Sequence, residues 1–245
     1  MYKISKTPYK LILYAFNIAF KKYGFKGNSL TSLIFLVCAQ PFAVFLYYFK
    51  TKPDTITYLR FFFGLIIIYY ELNGDIQMAI FFFIFFKIFD YVDGSLARLY
   101  GKKTFYGKFI DSVCDLFIEV FFLVFLGFYF FDLLNDYNLL KLYISAAIFW
   151  IFGQFIYDKY GSLVRWSNLE NNKKTFPNIR DNKFLRLMLI LEDSYFFSIF
   201  LILYNCQLFG LSASYILIFS CFFFGLLNIT LHLISASKNL REKKK

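Results

Sequence analysis

The chain has 245 residues, of which 59% are hydrophobic and 38 are Phe, and its formal net charge is +11. Long apolar runs, each of about 17–25 residues, recur along it. Such runs exclude an ordinary soluble domain and predict an all-α integral membrane protein. In that class of protein the basic excess is typical of loops on the cytoplasmic side, so we expect no nucleic-acid partner.

The first 50 residues precede the main apolar segments. Residues 1–27 alternate lysine with apolar side chains, which predicts an amphipathic helix on the membrane surface. Residues 31–49 are apolar enough to span the bilayer, but a span here would leave the lysine-rich N-terminus outside. Pro41 at the middle of this segment favours a broken helix. Two alternatives stay open, a re-entrant or interfacial segment and a seventh span.

Six further apolar segments predict a bundle of six transmembrane helices. They cover roughly residues 57–72, 76–97, 107–131, 139–157, 187–204 and 212–235. The connections alternate between acidic or neutral loops and loops rich in Lys and Arg, which places the basic loops and the C-terminus in the cytoplasm. We expect three regions: an interfacial region (1–50), a membrane domain (51–237) and a basic tail (238–245).

Four aspartates stand at the junction of the second and third segments, in FDYVDGSLARLYGKKTFYGKFIDSVCD. Asp90 and Asp93 fall on one face of the second helix. Asp111 and Asp115 fall on one face of the third helix. Because a short turn near Gly101 makes these helices antiparallel, the sequence predicts that the two acidic pairs face each other near the cytoplasmic end.

Four close carboxylates repel one another inside a bilayer, so they must take up protons or bind cations. Carboxylate oxygens suit hard divalent ions such as Mg²⁺, and two such ions suit substitution at phosphorus. Small residues at Gly94, Ala97 and Gly107 leave room for a phosphate-bearing ligand, which Arg98 can bind through two hydrogen bonds. Two alternatives are a buried ion-pair network, with Lys87 as a counter-ion, and a proton or metal transporter.

The spacing of this stretch, D-x2-D-G-x2-A-R-x8-G-x3-D-x3-D, resembles the signature of the CDP-alcohol phosphotransferase family. Its eight fixed positions are filled by Asp90, Asp93, Gly94, Ala97, Arg98, Gly107, Asp111 and Asp115. Upstream, KPDTITYLR (52–60) is similar to the Pro-Asn-x-x-Thr-x-x-Arg start of the family's first span. Asp54 stands where Asn is usual, and Asp54, Thr57 and Arg60 are candidate accessory residues.

The resemblance implies an enzyme of phospholipid biosynthesis that transfers a substituted phosphate from a CDP-linked donor to an acceptor hydroxyl and releases CMP. It implies that the four aspartates hold two divalent cations, Mg²⁺ or Mn²⁺, and that Asp115 is also the general base. Four positions would line the pocket for the CDP moiety: Gly94, Ala97, Arg98 and Gly107. The resemblance further implies a homodimer.

The substrates are less specified by the sequence. We expect CDP-diacylglycerol as donor, and the alternative is another CDP-alcohol whose head group moves to a lipid hydroxyl. The acceptor is a small alcohol or alcohol phosphate, for which Lys159 and Arg165 in the basic loop 158–186 are candidate ligands. Glu192 and Asp193 at the fifth span are candidate accessory residues. The expected location is a bacterial inner membrane, with the active site facing the cytoplasm.

Overall fold

The computed structural model describes residues 13–17, 29–101, 104–171, 183–204 and 210–241, and every regular element in these ranges is helical. Residues 13–17 form the short helical segment α1. The longer helices are α2 (Leu30–Tyr48), α3 (Pro53–Leu72), α4 (Ile76–Leu99), α5 (Phe105–Leu134), α6 (Tyr137–Asn171), α7 (Lys183–Tyr204) and α8 (Gly210–Arg241). The all-α prediction is confirmed, while most of the predicted surface helix lies outside the described residues.

Local sequence signals set the helix ends. Ser29 caps α2 and Asp75 caps α4, each by accepting a hydrogen bond at 3.2 Å from the backbone N–H three residues later. Pro53 begins α3, where its missing N–H leaves no hydrogen bond unmade. Gly101 follows α4 with φ of 64°, a left-handed conformation that glycine adopts without strain. These signals produce the tight turn that the sequence predicts between α4 and α5.

Five helices within the described residues are long and apolar enough to cross a membrane. The segments are Leu30–Tyr48, Pro53–Leu72, Tyr106–Leu134, Tyr137–Leu163 and Leu211–Ile234. The chain is therefore an integral multi-pass membrane protein, as its composition predicts. The predicted count of six spans is not confirmed, because the five include α2 and omit α4 and α7. Charged side chains interrupt the apolar sequences of α4 and α7.

The chain divides into two compact units, Met1–Ile118 and Glu119–Lys245, with the boundary inside α5. In the first unit α4 packs against α2 and α3. Their shared core contains Ala39, Ala43, Ile56, Val92 and Leu96. The predicted break at Pro41 does not occur, since α2 is one continuous helix. Contacts of Ala39 and Ala43 with the core hold α2 in place on both sides of the proline.

Helix α2 packs along one end of α4. Near the start of α2, Ser32 accepts a hydrogen bond from Tyr91 Oη at 2.9 Å. Near its end, the ring of Tyr47 lies 4.9 Å from the ring of Tyr100. These two contacts are separated by about 22 Å along α2 but by only about 14 Å along α4. Helix α2 therefore lies beside the C-terminal part of α4, which carries the acidic residues.

The second unit contains α6, α7, α8 and the C-terminal part of α5. Helix α8 packs against both α6 and α7. Glycines allow α6 and α8 to approach closely, because a Cβ on Gly153 would lie 2.9 Å from the Cα of Gly225. Trp150 stacks on Tyr195 and Phe224, with ring centroids 5.0 and 4.7 Å away. Aromatic packing and close helix contact thus organise this unit.

Candidate active site

The turn between α4 and α5 brings together the two halves of the acidic stretch. Beyond Gly101, Thr104 caps α5, since its Oγ1 accepts a hydrogen bond from the backbone N–H of Gly107 at 2.9 Å. The backbone N–H of Lys108 donates to the Thr104 carbonyl at 3.3 Å, which closes the first turn of the helix. The end of α4 is thereby placed beside the start of α5.

Three of the four aspartates form one cluster at this junction. A carboxylate oxygen from each of Asp90, Asp93 and Asp111 lies within 4.8 Å of the other two. The acidic faces of α4 and α5 therefore meet, as the helix spacing predicts. Asp93 is buried, whereas the side chains of Asp90 and Asp111 are 28% and 22% exposed, which leaves the cluster open to a ligand.

Asp115 lies one turn further along α5, beside two buried cations. Its Oδ1 is 3.7 Å from Arg60 Nη2 and 3.7 Å from Lys87 Nζ. The same oxygen is buried and has no hydrogen-bond partner among the described residues. The Asp115 side chain as a whole is 29% exposed, so a part of it other than Oδ1 is accessible to a bound molecule. The structure pairs Lys87, the expected counter-ion of the acidic group, with Asp115.

Arg60 of α3 occupies the centre of the site, although its sequence suggested only an accessory role. Its side chain is fully buried and its Nη1 pairs with Asp90. Its Nη2 donates to Asp111 Oδ1 at 3.0 Å and to the Asp111 backbone carbonyl at 3.1 Å. The guanidinium also lies 5.1 Å from the centre of the Phe86 ring. Arg60 thus joins α3 to carboxylates from both α4 and α5.

The other two accessory candidates on α3 lie at the same site. Thr57 Oγ1 donates a hydrogen bond to Asp93 Oδ2 at 2.9 Å. Asp54 Oδ1 lies 3.2 Å from the position that a Cβ on Gly107 would take. Because Asp54, Thr57 and Arg60 follow one another at intervals of three, they share a face of α3. That face is turned toward the acidic cluster.

Basic side chains at the site nearly balance the negative charge of the four motif aspartates. Lys108 Nζ lies 3.0 Å from Asp111 Oδ2, in addition to the contacts of Arg60 and Lys87. Counted as formal charges, the four motif aspartates (−4) and the three cations that pair with them (+3) sum to −1, with Asp54 left out of the count. The donors are oxygen atoms of the kind that hard divalent cations prefer. The compact set of three aspartates therefore fits a divalent cation.

The four residues predicted to bind the CDP moiety are accessible from the surface. All are half-buried: Gly94, Ala97, Arg98 and Gly107. The Arg98 side chain folds over Gly94, where an added Cβ would lie 3.3 Å from its Nη1. Its Nη2 donates a hydrogen bond to Ser95 Oγ at 2.7 Å. A Cβ on Gly107 would lie 2.9 Å from Thr104 Oγ1. At both glycines the absence of a side chain therefore leaves the helix backbone uncovered by a Cβ.

The four candidates for acceptor or accessory roles belong to the second unit. Helix α6 continues to Asn171, so Lys159 and Arg165 are on a helix rather than in the predicted loop. Lys159 is exposed, with Nζ 5.6 Å from the centre of the Phe155 ring, and the side chain of Arg165 lies outside the described residues. Glu192 and Asp193 are half-buried. The roles of all four stay predictions.

Sequence reasoning missed two polar residues beneath the site. Gln40 of α2 is fully buried and donates to Ser95 Oγ at 3.0 Å. Ser95 is buried as well and accepts the hydrogen bond from Arg98. The sequence did contain a signal, namely a glutamine within an apolar helix. Burying its amide without a hydrogen-bond partner would be destabilising, so a partner was to be expected. The identity of that partner required the packing of α2 on α4.

Comparison with protein families identifies the class of this protein. The family model described as CDP-alcohol phosphatidyltransferase matches residues 50–227, well over half of the chain. The chain therefore belongs to the CDP-alcohol phosphatidyltransferase family and is a phosphotransferase enzyme of phospholipid biosynthesis. The resemblance noted in the sequence is thereby confirmed. The transporter alternative receives no support from this match.

A solved structure shares the fold. It is the crystal structure of Mycobacterium tuberculosis phosphatidylinositol phosphate synthase (PgsA1) with CDP-DAG bound. The two chains are 15% identical, and the match covers 80% of this chain and 90% of the other with a TM-score of 0.52. No curated protein sequence matches this chain.

Proposed function

We propose that this enzyme transfers a phosphatidyl group from CDP-diacylglycerol to the hydroxyl of a small polar acceptor and releases CMP. The observation that carries the proposal is the cluster of Asp90, Asp93 and Asp111 at the junction of α4 and α5. In a chain of this family, such a cluster would hold the cations of phosphoryl transfer. The CDP-DAG named with the PgsA1 structure supports the choice of donor.

The four aspartates of the motif would hold two divalent cations, Mg²⁺ or Mn²⁺. Asp90, Asp93 and Asp111 provide the compact oxygen set, and Asp115 lies one turn away on the same face of α5. When bound, such cations neutralise the diphosphate and stabilise the negative charge that develops at phosphorus. Because three protein cations already contact these carboxylates, the anionic diphosphate would offset the added positive charge.

The donor would bind where α4 and α5 present their small residues. Gly94, Ala97 and Gly107 would let the cytidine and diphosphate approach the helix backbones. Arg98 would donate hydrogen bonds to a phosphate, since its guanidinium suits bidentate contact with oxyanions. The acyl chains of the donor would remain among the apolar helix surfaces in the bilayer.

In the proposed reaction, the acceptor oxygen forms a bond to the phosphorus of the phosphatidyl group. The bond from that phosphorus to the bridging oxygen breaks, and CMP leaves with the bonding electrons. Asp115 would take the proton of the acceptor hydroxyl, since its side chain is 29% exposed and lies one turn from the compact set of three aspartates. Arg60 and Lys87 would keep this carboxylate oriented, since each lies 3.7 Å from it.

The acceptor would be a small alcohol or an alcohol phosphate. Lys159 and Arg165 would bind the phosphate of an acceptor such as glycerol phosphate or inositol phosphate, whereas serine needs no such pocket. Glu192 or Asp193 would bind a hydroxyl of the acceptor. These assignments rest on residue type and on the excess of basic residues in this part of the sequence.

The membrane arrangement we propose has the active site at the cytoplasmic face of a bacterial inner membrane. The Lys- and Arg-rich segments next to the spans support this orientation. The membrane domain would comprise residues 51–237 with six spans, α3 to α8, and a basic tail at 238–245. For α2, an interfacial or re-entrant position and a seventh span both stay open, since this helix is long and apolar enough to cross a membrane. A homodimer is the expected assembly.

Purified protein in detergent tests the function directly. CMP release is measured with CDP-diacylglycerol, Mg²⁺ or Mn²⁺, and glycerol phosphate, inositol phosphate, inositol or serine. Release that depends on one acceptor supports the proposal and identifies that acceptor. If CMP is released only when a CDP-alcohol and diacylglycerol replace these substrates, then the lipid is the acceptor and not the donor. No release with either set, from folded protein that binds Mn²⁺, would overturn the proposal.

A further inference from the structure

We propose that Gln40 of α2 is a positioning residue for Arg98, and thereby sets the affinity for the CDP donor. The inference rests on the proposed function, because it assumes that Arg98 contacts the donor's phosphates. Gln40 lies before the family-matched residues 50–227, so it is a feature that the family motif does not contain.

The hydrogen bonds of Gln40 specify the orientation of its amide. Its Nε2 lies 2.9 Å from the carbonyl oxygen of Leu36 and 3.0 Å from Ser95 Oγ. A carbonyl oxygen can only accept, so the group facing Leu36 must be the NH₂. Its two protons are then both used, one toward Leu36 and one toward Ser95. Gln40 Oε1 has no hydrogen-bond partner within the described ranges.

The same geometry determines what Ser95 does. Ser95 Oγ accepts from Gln40 Nε2 at 3.0 Å and from Arg98 Nη2 at 2.7 Å. A hydroxyl oxygen has two lone pairs, so both are used and the serine is held as an acceptor. The Arg98 guanidinium is thereby anchored at one end, over Gly94. Because the bond from Gln40 keeps Ser95 Oγ in place, the bond from Arg98 Nη2 to Ser95 sets the direction of the other N–H groups of the Arg98 guanidinium.

Burial makes this arrangement rigid. Gln40 is 0% exposed and Ser95 is 2% exposed, so water does not compete for their hydrogen bonds. The residues next to Gln40 and Ser95 in the chain, Ala39 and Leu96, belong to one apolar core cluster. A glutamine that serves packing alone would be replaced by a leucine of similar size without loss. The polar contact to Ser95 is therefore the feature that a functional test must isolate.

The test compares purified full-length Gln40→Leu with wild type. We expect the Kd and the KM for CDP-diacylglycerol to rise about 3- to 10-fold, with kcat and the KM of the acceptor within about twofold. In a Ser95→Ala background, Gln40→Leu should produce no further change in Kd, because the link to Arg98 is already absent. Gln40→Met replaces Gln40→Leu if thermal unfolding shows that the leucine variant is not folded.

Ser32→Ala is the matched control. It removes a different hydrogen bond between α2 and α4, from Tyr91 Oη at 2.9 Å, together with the bond from Ser29 Oγ at 2.8 Å within the first turn of α2, and it leaves Ser95 and Arg98 unchanged. We expect its donor Kd to match wild type. Equal weakening in Ser32→Ala and Gln40→Leu, or an unchanged Kd in Gln40→Leu with active wild type, would overturn the positioning role alone. Wild type that neither binds CDP-diacylglycerol nor releases CMP would overturn the proposed function together with this inference.

Discussion

The two units of the chain bury polar groups in different ways. In the first unit, buried charges pair between helices, as Arg60 does with Asp90 and Asp111. In the second unit, several buried polar groups bond within their own helix, as Ser198 Oγ does to the Tyr195 carbonyl at 2.7 Å, and the carboxyl group of Glu119 accepts a hydrogen bond between helices from Trp150 Nε1 at 2.6 Å. His232 Nδ1 similarly lies 2.7 Å from the carbonyl oxygen of Asn228.

This difference separates the charged cluster at the junction of α4 and α5 from the packing core of the second unit. A hydroxyl that donates to a carbonyl of its own helix keeps its hydrogen bond however that helix packs, so it does not constrain the tertiary structure. Charges buried between helices are destabilising unless they are paired with good geometry, and an apolar core would often be as stable. We therefore expect buried charges to be kept in the first unit because the reaction needs them. The core of the second unit, with its stacked Trp150 and its glycine contacts, serves packing.

The largest effect is expected from Asp115→Asn. The amide has the size of the carboxylate but cannot take the acceptor's proton, so kcat should fall about 100- to 10,000-fold. CMP release measures the rate. Binding of at least one Mn²⁺, followed by electron paramagnetic resonance, should persist because Asp90, Asp93 and Asp111 are unchanged. A variant that keeps more than about a tenth of the activity would exclude Asp115 as the base.

Arg60→Met should cause the largest loss of stability. Removing a fully buried cation leaves carboxylates from two helices uncompensated, which costs about 3–5 kcal/mol. Because a divalent cation can replace the lost charge, Mg²⁺ should raise the thermal unfolding temperature more in this variant than in wild type. Arg60→Lys, which keeps the charge but loses the second hydrogen bond, should lie between them. Equal Mg²⁺ shifts in all three proteins would argue against a counter-charge role.

Gly225→Ala tests the second unit. The added Cβ would collide with the carbonyl of Phe149 on α6, and such overpacking costs about 1–3 kcal/mol. The activity of the folded fraction should stay within about twofold of wild type, since no proposed site residue is touched. Phe219→Leu on the exposed side of α8 is the control and should change stability little. A large loss of kcat in Gly225→Ala would contradict the division of roles between the units.

The smallest effect is expected from Lys108→Ala. Lys108 pairs with Asp111 at 3.0 Å, but its side chain is 56% exposed, so the pair contributes less than about 1 kcal/mol. Added salt should reduce the difference from wild type in thermal unfolding experiments. Lys87→Ala is the matched comparison, because the Lys87 side chain is only 10% exposed and should matter more. A larger loss in Lys108→Ala than in Lys87→Ala would contradict the dependence on burial.

Much of the site follows from periodicity within single helices. The intervals of Asp90 to Asp93 and of Asp111 to Asp115 predict two acidic faces, and Gly101 predicts the turn that joins them. The accessory set on α3 was visible only as a similarity to a family motif. Nothing in that motif indicated that Arg60 would contact Asp90 and Asp111 together, because such a contact depends on how three helices cross.

The sequence by itself determined the all-α membrane class, the acidic faces and the family. Apolar run length and helical repeat are properties of neighbouring residues, so they can be read without knowledge of the packing. Only the tertiary structure decided that α2 remains continuous through Pro41, that Lys87 pairs with Asp115 and that Gln40 reaches Ser95. The last two contacts join residues far apart in the chain, and they form only because of the way in which the helices pack against one another.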